Sequence, residues 1–441
     1  MIRWEDDSPG LSASWRIFIL ERQDELPLSN GRPNSLNYAL LLAVVFGGFL
    51  IFGFSENIKG PAIPRMQAEF GLDEFQLGLL LSLNSLGYLI ACSFTGYLTR
   101  KIGIRWTGIA AFGSMFLSGI LMYLSANYTL LSGSYFLMYI GNGMLEIGLA
   151  IMAARIFTRN TGTMMNLSHF FYGLSSTVAP IIASSMMGWH LFGGEFGWRG
   201  MYVAMLALSL LPIIPSLVAK FPDEHEAHAE ERVPLSGIAK DPIAWLIVLV
   251  LSCGVVSEMA VGSWLVNYLE KAYGWTTESA SGMLSLFFLF FMLARLFLGP
   301  ITDRIGYTLS IMIFSAFSGL CSFAAILAGE SGAILFAIAG IGIAPIYPTV
   351  MALLAKRYRS GTDSAITFTV TLMGIASVVG NLLIGAIIDW ARALFEGSEG
   401  TEQSRILGLQ AGYGFIAAMA LLCSVFCILL YKKLRSKGEL V

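Results

Sequence analysis

Twelve separate runs of about twenty apolar residues dominate the chain, and no other feature limits its fold so tightly. An α-helix rises about 1.5 Å per residue, so about 20 apolar residues are needed to cross the hydrocarbon core of a bilayer. Such runs lie near residues 38–58, 76–98, 106–125, 130–155, 163–191, 200–219, 243–268, 277–299, 308–328, 331–354, 364–389 and 407–431. They are continuous rather than alternating, which selects helices over the strands of a membrane barrel. With 56% hydrophobic and 13% charged residues, the chain lacks the polar surface that a soluble enzyme needs. Its 47 glycines and 14 prolines would weaken soluble helices but are tolerated in membrane spans, where neighbours satisfy the freed backbone groups. The expected fold class is an all-α membrane protein with 12 transmembrane helices.

Charge divides the runs into two sets of six. Between the sixth and seventh lies Phe221 to Lys240, whose DEHEAHAEER segment has no place in hydrocarbon. The expected organisation is an N-terminal segment 1–37, a six-helix bundle 38–219, a linker 220–242, a second six-helix bundle 243–431 and a tail 432–441. The first 37 residues carry Arg3, Arg16, Arg22 and Arg32 without an apolar run ahead of a small-residue cleavage site, so no cleaved signal peptide is expected. Trp15 to Leu20 is suited to lie along the membrane surface. With the N-terminus placed inside, 20 of the 27 Lys and Arg residues fall in cytoplasmic segments. Lys59, Arg65, Arg199, Lys271, Arg392 and Arg405 fall in external loops, and Arg295 near the inner end of span eight. That asymmetry predicts a multi-pass protein of the cell (plasma or inner) membrane with both termini and the linker cytoplasmic.

Several function classes have no support in the residues. The formal net charge of −2 gives no footing for nucleic acid. Cys92, Cys253, Cys321, Cys423 and Cys427 all lie in apolar stretches without metal-ligand spacing and read as small buried hydrophobes. His225 and His228 have a spacing that suits a metal, but a solvated acidic linker explains them as well. No phosphate-binding loop of the G-x-x-x-x-G-K type is present, so ATP is not expected to act directly. No cofactor and no metal are expected, and the partners expected are the lipid bilayer and a small solute.

The two sets of six repeat one another. GYLTRKIGIR from Gly96 and GPITDRIGY from Gly299 superpose at an offset of 203, pairing Gly96 with Gly299, Thr99 with Thr302, Lys101 with Arg304 and Gly103 with Gly306. YGLSSTVAP in span five echoes MGIASVVGN in span eleven, and Ser55-Glu56 recurs as Ser257-Glu258. Parallel repeats of this kind are expected of transporters whose halves rock about a midplane site. The two halves, the charged linker and the loop motif resemble the major facilitator superfamily over nearly the whole chain, although Arg100 stands where that pattern usually has an acid. GNGMLE (Gly141 to Glu146), GIAPIYPTVM (Gly342 to Met351) and ENIKGPAIPRMQAEF (Glu56 to Phe70) resemble its fucose, galactose and glucose proton symporter branch. The resemblance implies two pseudo-symmetric six-helix bundles, a monomer, and a proton-coupling glutamate at Glu146.

Three acids stand out. Glu146 sits near the middle of span four with no charge within eight residues, where an ionised side chain costs about 2.5 to 3.5 kcal/mol or more. It reads either as a carboxyl that takes and releases a proton from a central cavity or as a hydrogen-bonded packing residue. Glu258 lies deep in span seven with Gly262 one turn away, leaving room for a ligand or a partner helix. Glu56, with Asn57, closes span one and either couples an ion or lines the outer mouth. Sugars need aromatic faces and amide or carboxylate groups, so Asn57, Asn84, Tyr88, Asn142, His169, Tyr172, Trp264, Asn267, Tyr347 and Thr371 are the candidate solute contacts. Gly96, Arg100, Lys101, Gly103, Gly299, Asp303 and Arg304 read as a conformational latch.

The function expected is proton-coupled uptake of a sugar or similar polar solute by alternating access, with sodium as the other possible ion. An exporter of amphipathic solutes or a lipid flippase on the same fold is the alternative, supported by GLSSTVAP in span five. A membrane enzyme or sensor would need a catalytic cluster or an output domain, and neither is legible.

Overall fold

The computed structural model describes residues 35–156, 161–191, 194–221, 235–358 and 362–439. Most of the N-terminal segment, with Trp15 to Leu20, and the DEHEAHAEER stretch with His225 and His228 lie outside the described residues. Twelve helical spans are long and apolar enough to cross a membrane: Leu36–Phe70, Glu74–Ile102, Ile104–Tyr123, Tyr128–Ala153, Leu167–Met187, Gly197–Val218, Pro242–Tyr273, Thr277–Ile305, Tyr307–Gly332, Ile334–Arg357, Ser364–Gly397 and Thr401–Ser436. They are numbered one to twelve below.

Local chemistry sets several of the helix ends. Asp73 opens span two with a reciprocal box, accepting from the Gln76 amide at 2.7 Å while its own amide donates to the Gln76 side chain at 3.0 Å. Asp241 caps span seven and Pro242 follows, where a missing N–H costs nothing. The repeated loop motif has one backbone purpose in both copies. Gly103 and Gly306 turn the chain at φ 88° and 93°, each donating its amide to the carbonyl four residues back, Thr99 or Thr302, at 3.0 Å. That left-handed φ is free of strain only for glycine.

The spans depart from the sequence expectation in instructive places. Span one does not close at Asn57 but jogs at Ile58 and resumes as a helix over Lys59–Phe70. Lys59, Pro61 and Pro64 look like a loop in sequence. Pro61 instead occupies the first turn of the resumed helix, where proline fits, and the charge of Lys59 is neutralised inside the protein. Lys59 therefore leaves the set of loop cations, and Glu56 and Asn57 sit within the span rather than at its mouth. Span five stops at Met187, and His190–Leu191 then pairs antiparallel with Gly194–Glu195. Span ten breaks between Ile343 and Ile346 at Pro345. Span twelve runs on to Ser436, beyond the expected end at 431.

The start of span one and the end of span six are tied by Asn37, which donates to the Lys220 carbonyl at 3.0 Å and accepts from its amide at 2.6 Å. This marks the face that carries the linker, called the linker face here. At the opposite, far face the two sets of six spans are bound together. Lys271 of span seven meets Glu74 at 2.7 Å and Gln67 at 2.5 Å, and the Phe75 amide donates to Asp389 at 2.7 Å. Spans two and eleven touch backbone to backbone, since a Cβ on Gly385 would lie 2.3 Å from the Glu74 carbonyl oxygen. The ties reach mid-span, where Ser82 donates to the Val378 carbonyl at 2.8 Å. At the linker face Arg100, Lys101, Asp303 and Arg304 are all exposed, and no ion pair joins them among the described residues.

Candidate functional site

A cavity between the two sets of spans gathers most of the residues that sequence reasoning singled out. Glu56, Asn84, Tyr88, Glu146, His169, Tyr172, Glu258 and Tyr347 all line it. Asn57, Asn142, Trp264, Asn267 and Thr371 do not, and each has another setting. Asn57 is buried and donates to the Gly53 carbonyl and to Ser176, both at 2.9 Å. Asn142 accepts from Ser55 at 2.7 Å and donates to Glu56 at 3.4 Å, so it supports an acid rather than facing the cavity. Trp264 is packed in the core, Asn267 reaches Glu74 at the far face at 3.5 Å, and Thr371 is exposed on span eleven.

The acids of the cavity differ in what compensates them. Glu56 forms a buried ion pair with Lys59, three residues on. Lys59 also donates to the Tyr139 hydroxyl at 2.8 Å, and that hydroxyl donates back to Glu56 at 3.2 Å. Burial of this kind is sustainable only when every charge is paired and hydrogen-bonded. Neither Lys59 nor Tyr139 was singled out in the sequence; a lysine three residues from an intramembrane acid was the signal available.

Glu258 is compensated from another span. Arg295 does not snorkel to the linker face but turns into the cavity, 3.9 Å from Glu258. Its guanidinium lies over the Phe291 ring at 4.2 Å, and its Nε donates to the Ala344 carbonyl at 3.2 Å. That carbonyl is available because Pro348, four residues further on, has no N–H to offer it. The break in span ten thus supplies the acceptor that orients the arginine. Gly262 faces Asn57 and packs its carbonyl against Gly60 of span one, so the room it leaves is taken by a partner helix.

Glu146 is the exception. It lines the cavity and is only partly buried, and among the described residues no side chain forms a hydrogen bond or an ion pair with it. His169 is also exposed to the cavity, with its ring 5.3 Å from that of Phe49 and no acid beside it. Asn84 is 2% exposed, and both of its side-chain amide atoms lack a partner among the described residues while the residue lines the cavity. Aromatic rings (Phe49, Phe52, Tyr88, Tyr172, Tyr347) share the wall with these polar groups. Asn381, Ser85 and Arg295 also line the cavity, and none of the three was read as a solute contact from the sequence.

Twelve spans bound together at one face around a central charged cavity form the architecture of a multi-pass membrane carrier. The model of the Major Facilitator Superfamily matches residues 45–381 and again 283–440, and the chain belongs to that family. Its class of activity is therefore transport of a solute across a membrane, not covalent catalysis. The chain is 19% identical to a TsgA homolog of Edwardsiella ictaluri over 80% of this chain and 89% of that one. It is 22% identical to the L-fucose-proton symporter of Escherichia coli, covering 77% of this chain and 85% of the symporter. The crystal structure of a D-xylose-proton symporter superposes with a TM-score of 0.70 at 15% identity, over 88% of this chain and 97% of that one.

Proposed function

We propose that the protein is a secondary active importer of a sugar or similarly polyhydroxylated solute, coupled to the proton through Glu146. One observation carries the coupling site: of the three cavity acids, Glu56 is paired with Lys59 and Glu258 with Arg295, while Glu146 has no cation of its own among the described residues. A carboxylate without a partner at mid-membrane is best neutralised by a proton, and alternating access lets that proton enter from one side and leave to the other. The unpartnered Asn84 amide and the ring-lined wall suit a ligand with adjacent hydroxyls and CH faces. The sugar-proton symporters among its relatives support the same class, and sodium is the competing ion. In this reading the linker face is cytoplasmic, the protein works as a monomer in the cell membrane, and the state described is closed to the outside. Gly96, Arg100, Lys101, Gly103, Gly299, Asp303 and Arg304 then form a latch that is open in this state and pairs when the carrier turns outward.

The test is uptake of glucose and a panel of related sugars into proteoliposomes under an imposed inward proton gradient. The wild type should concentrate at least one of them, with apparent affinity falling as pH rises and the coupling carboxyl loses its proton. Glu146→Gln keeps size and hydrogen bonding but cannot ionise, so it should still exchange the sugar while its accumulation falls to equilibrium. Accumulation by Glu146→Gln with an unchanged pH profile would move coupling to Glu258 or Glu56. No gradient-driven uptake of any sugar would leave the exporter or flippase reading in possession of the fold.

A further inference from the structure

The pair formed by Glu56 and Lys59 is unlike an ion-coupling site in one respect: its cation cannot leave. Lys59 is 5% exposed and Glu56 7%, and both belong to span one, on either side of the jog at Ile58. Their spacing of three residues puts them on one helix face, and Tyr139 and Asn142 of span four close the remaining positions around the carboxylate. Because both charges ride on the same span, the contact survives any movement of one half of the molecule against the other.

We propose that Lys59 is a resident counter-cation, which does permanently for Glu56 what a coupling ion would otherwise have to do, so that the cycle carries one proton rather than two. The proposal rests on the reading of Glu146 as the coupling carboxyl. The charged and titratable groups near the pair fit this division, among them Tyr135 and Tyr202, whose hydroxyls bond each other. Span four presents Tyr139 and Glu146, and span five presents Tyr172 and His169. Across the cavity stand Glu258 and Arg295, and Arg295 is already engaged by Glu258 and the Ala344 carbonyl. Among the described residues no second lysine or arginine therefore pairs with Glu56, and Lys59 forms no ion pair with Glu146.

Without Lys59, Glu56 would be a buried carboxylate lacking a cation and would have to take up a proton of its own to stay buried. Infrared difference spectroscopy of the full chain in proteoliposomes, stepped between alkaline and acid buffer, reads this directly from the carboxylic acid C=O stretch and needs no solute. The wild type should show a cavity carboxyl band that disappears in Glu146→Gln and is unaffected by the pair. Lys59→Met should add a second band, absent from Lys59→Arg and lost again in the Glu56→Gln/Lys59→Met double variant. Glu56→Gln alone should remove no carboxylic acid band and should leave the Glu146 band in place.

A wild-type spectrum that already loses a second band in Glu56→Gln overturns the proposal, as does a folded Lys59→Met protein without a new band. If Lys59→Met does not fold, the single Glu56→Gln variant decides: loss of a band that Glu146→Gln retains overturns the proposal. A band insensitive to Glu146→Gln instead refutes Glu146 as the coupling carboxyl, and the appearance of a new band in Lys59→Met remains readable on its own.

Discussion

Glu56 and Glu258 occupy matching positions in the two halves of the repeat, each preceded by a serine, yet they are compensated in different ways. Glu56 takes its cation from three residues along the same span, in a sealed pair reinforced by Tyr139 and Asn142. Glu258 takes its cation from span eight, at 3.9 Å, with Arg295 also held by the broken turn of span ten. A third kind of pair, Glu74 with Lys271, crosses between the halves at the far face. The difference separates contacts by what a rocking motion can do to them. A pair on one span is indifferent to the motion, a pair within one half is adjustable, and a pair between halves has to break.

The largest effect is expected where the compensation is adjustable and faces the solute. Arg295→Met strips Glu258 of its cation and should cut solute transport roughly tenfold or more, about 1.4 kcal/mol or above in transition-state terms. Arg295→Lys should recover only part, because a lysine cannot both reach Glu258 and lie flat on Phe291. Transport assays that find the two variants equal to wild type would show that the Arg295–Glu258 pair is packing alone.

A contact that has to break sets a conformational balance. Glu74→Gln weakens the far-face tie to Lys271 and should move the carrier toward the outward-open state by about 1–2 kcal/mol, a factor of 5 to 30 in population. Labelling of a cysteine placed at Ser82, buried between spans two and eleven in the closed state, should rise accordingly from the outside. An unchanged labelling rate would mean that glycine contacts between those spans, not the ion pair, hold the far face shut.

The latch at the other face should give a smaller effect. If the proposed latch pairs only in the opposite state, Asp303→Asn should slow turnover severalfold while leaving solute affinity nearly unchanged. A loss of affinity at normal turnover would place Asp303 in the binding step.

Smallest is the static tie between Asp241 and Arg357, 2.8 Å apart at the linker face of the second half. Burial would push the Asp241 carboxyl up, but hydrogen bonds from Arg357, Tyr358 and the Ile243 amide outweigh it and hold the group below the ordinary carboxylate range. A depressed value means that its stabilisation is fully present above the unfolded-state value, about 4, and is lost as pH falls through the folded value. Asp241→Asn should lower Tm by a few degrees at neutral pH, and the difference should shrink in acid. A deficit that persists in acid would assign the effect to altered hydrogen bonding with Arg357 and Tyr358 rather than to charge.

The length and continuity of the apolar runs were enough to give twelve helical spans, because the cost of an unsatisfied backbone in lipid leaves few alternatives. The repeat was equally legible, since Gly103 and Gly306 each need a left-handed turn that glycine alone makes without strain. Glu146 stood out on its own because a charge at mid-membrane is conspicuous in any apolar run. What compensates the other acids was not legible. Lys59 and its prolines had the composition of a loop, and only packing against Tyr139 and Glu56 turned them into the continuation of a span. Arg295 read as an interface residue until the fold set span eight beside span seven and the proline-broken span ten supplied a carbonyl for it. Trp264 and Asn267 looked like solute contacts by type and depth, but the rotation of span seven sends one into the core and the other to the far face. Insertion into the bilayer is governed by the summed hydropathy of each span, which the sequence carries. Which face of a span meets the cavity is governed by its neighbours, and that the tertiary structure alone decides.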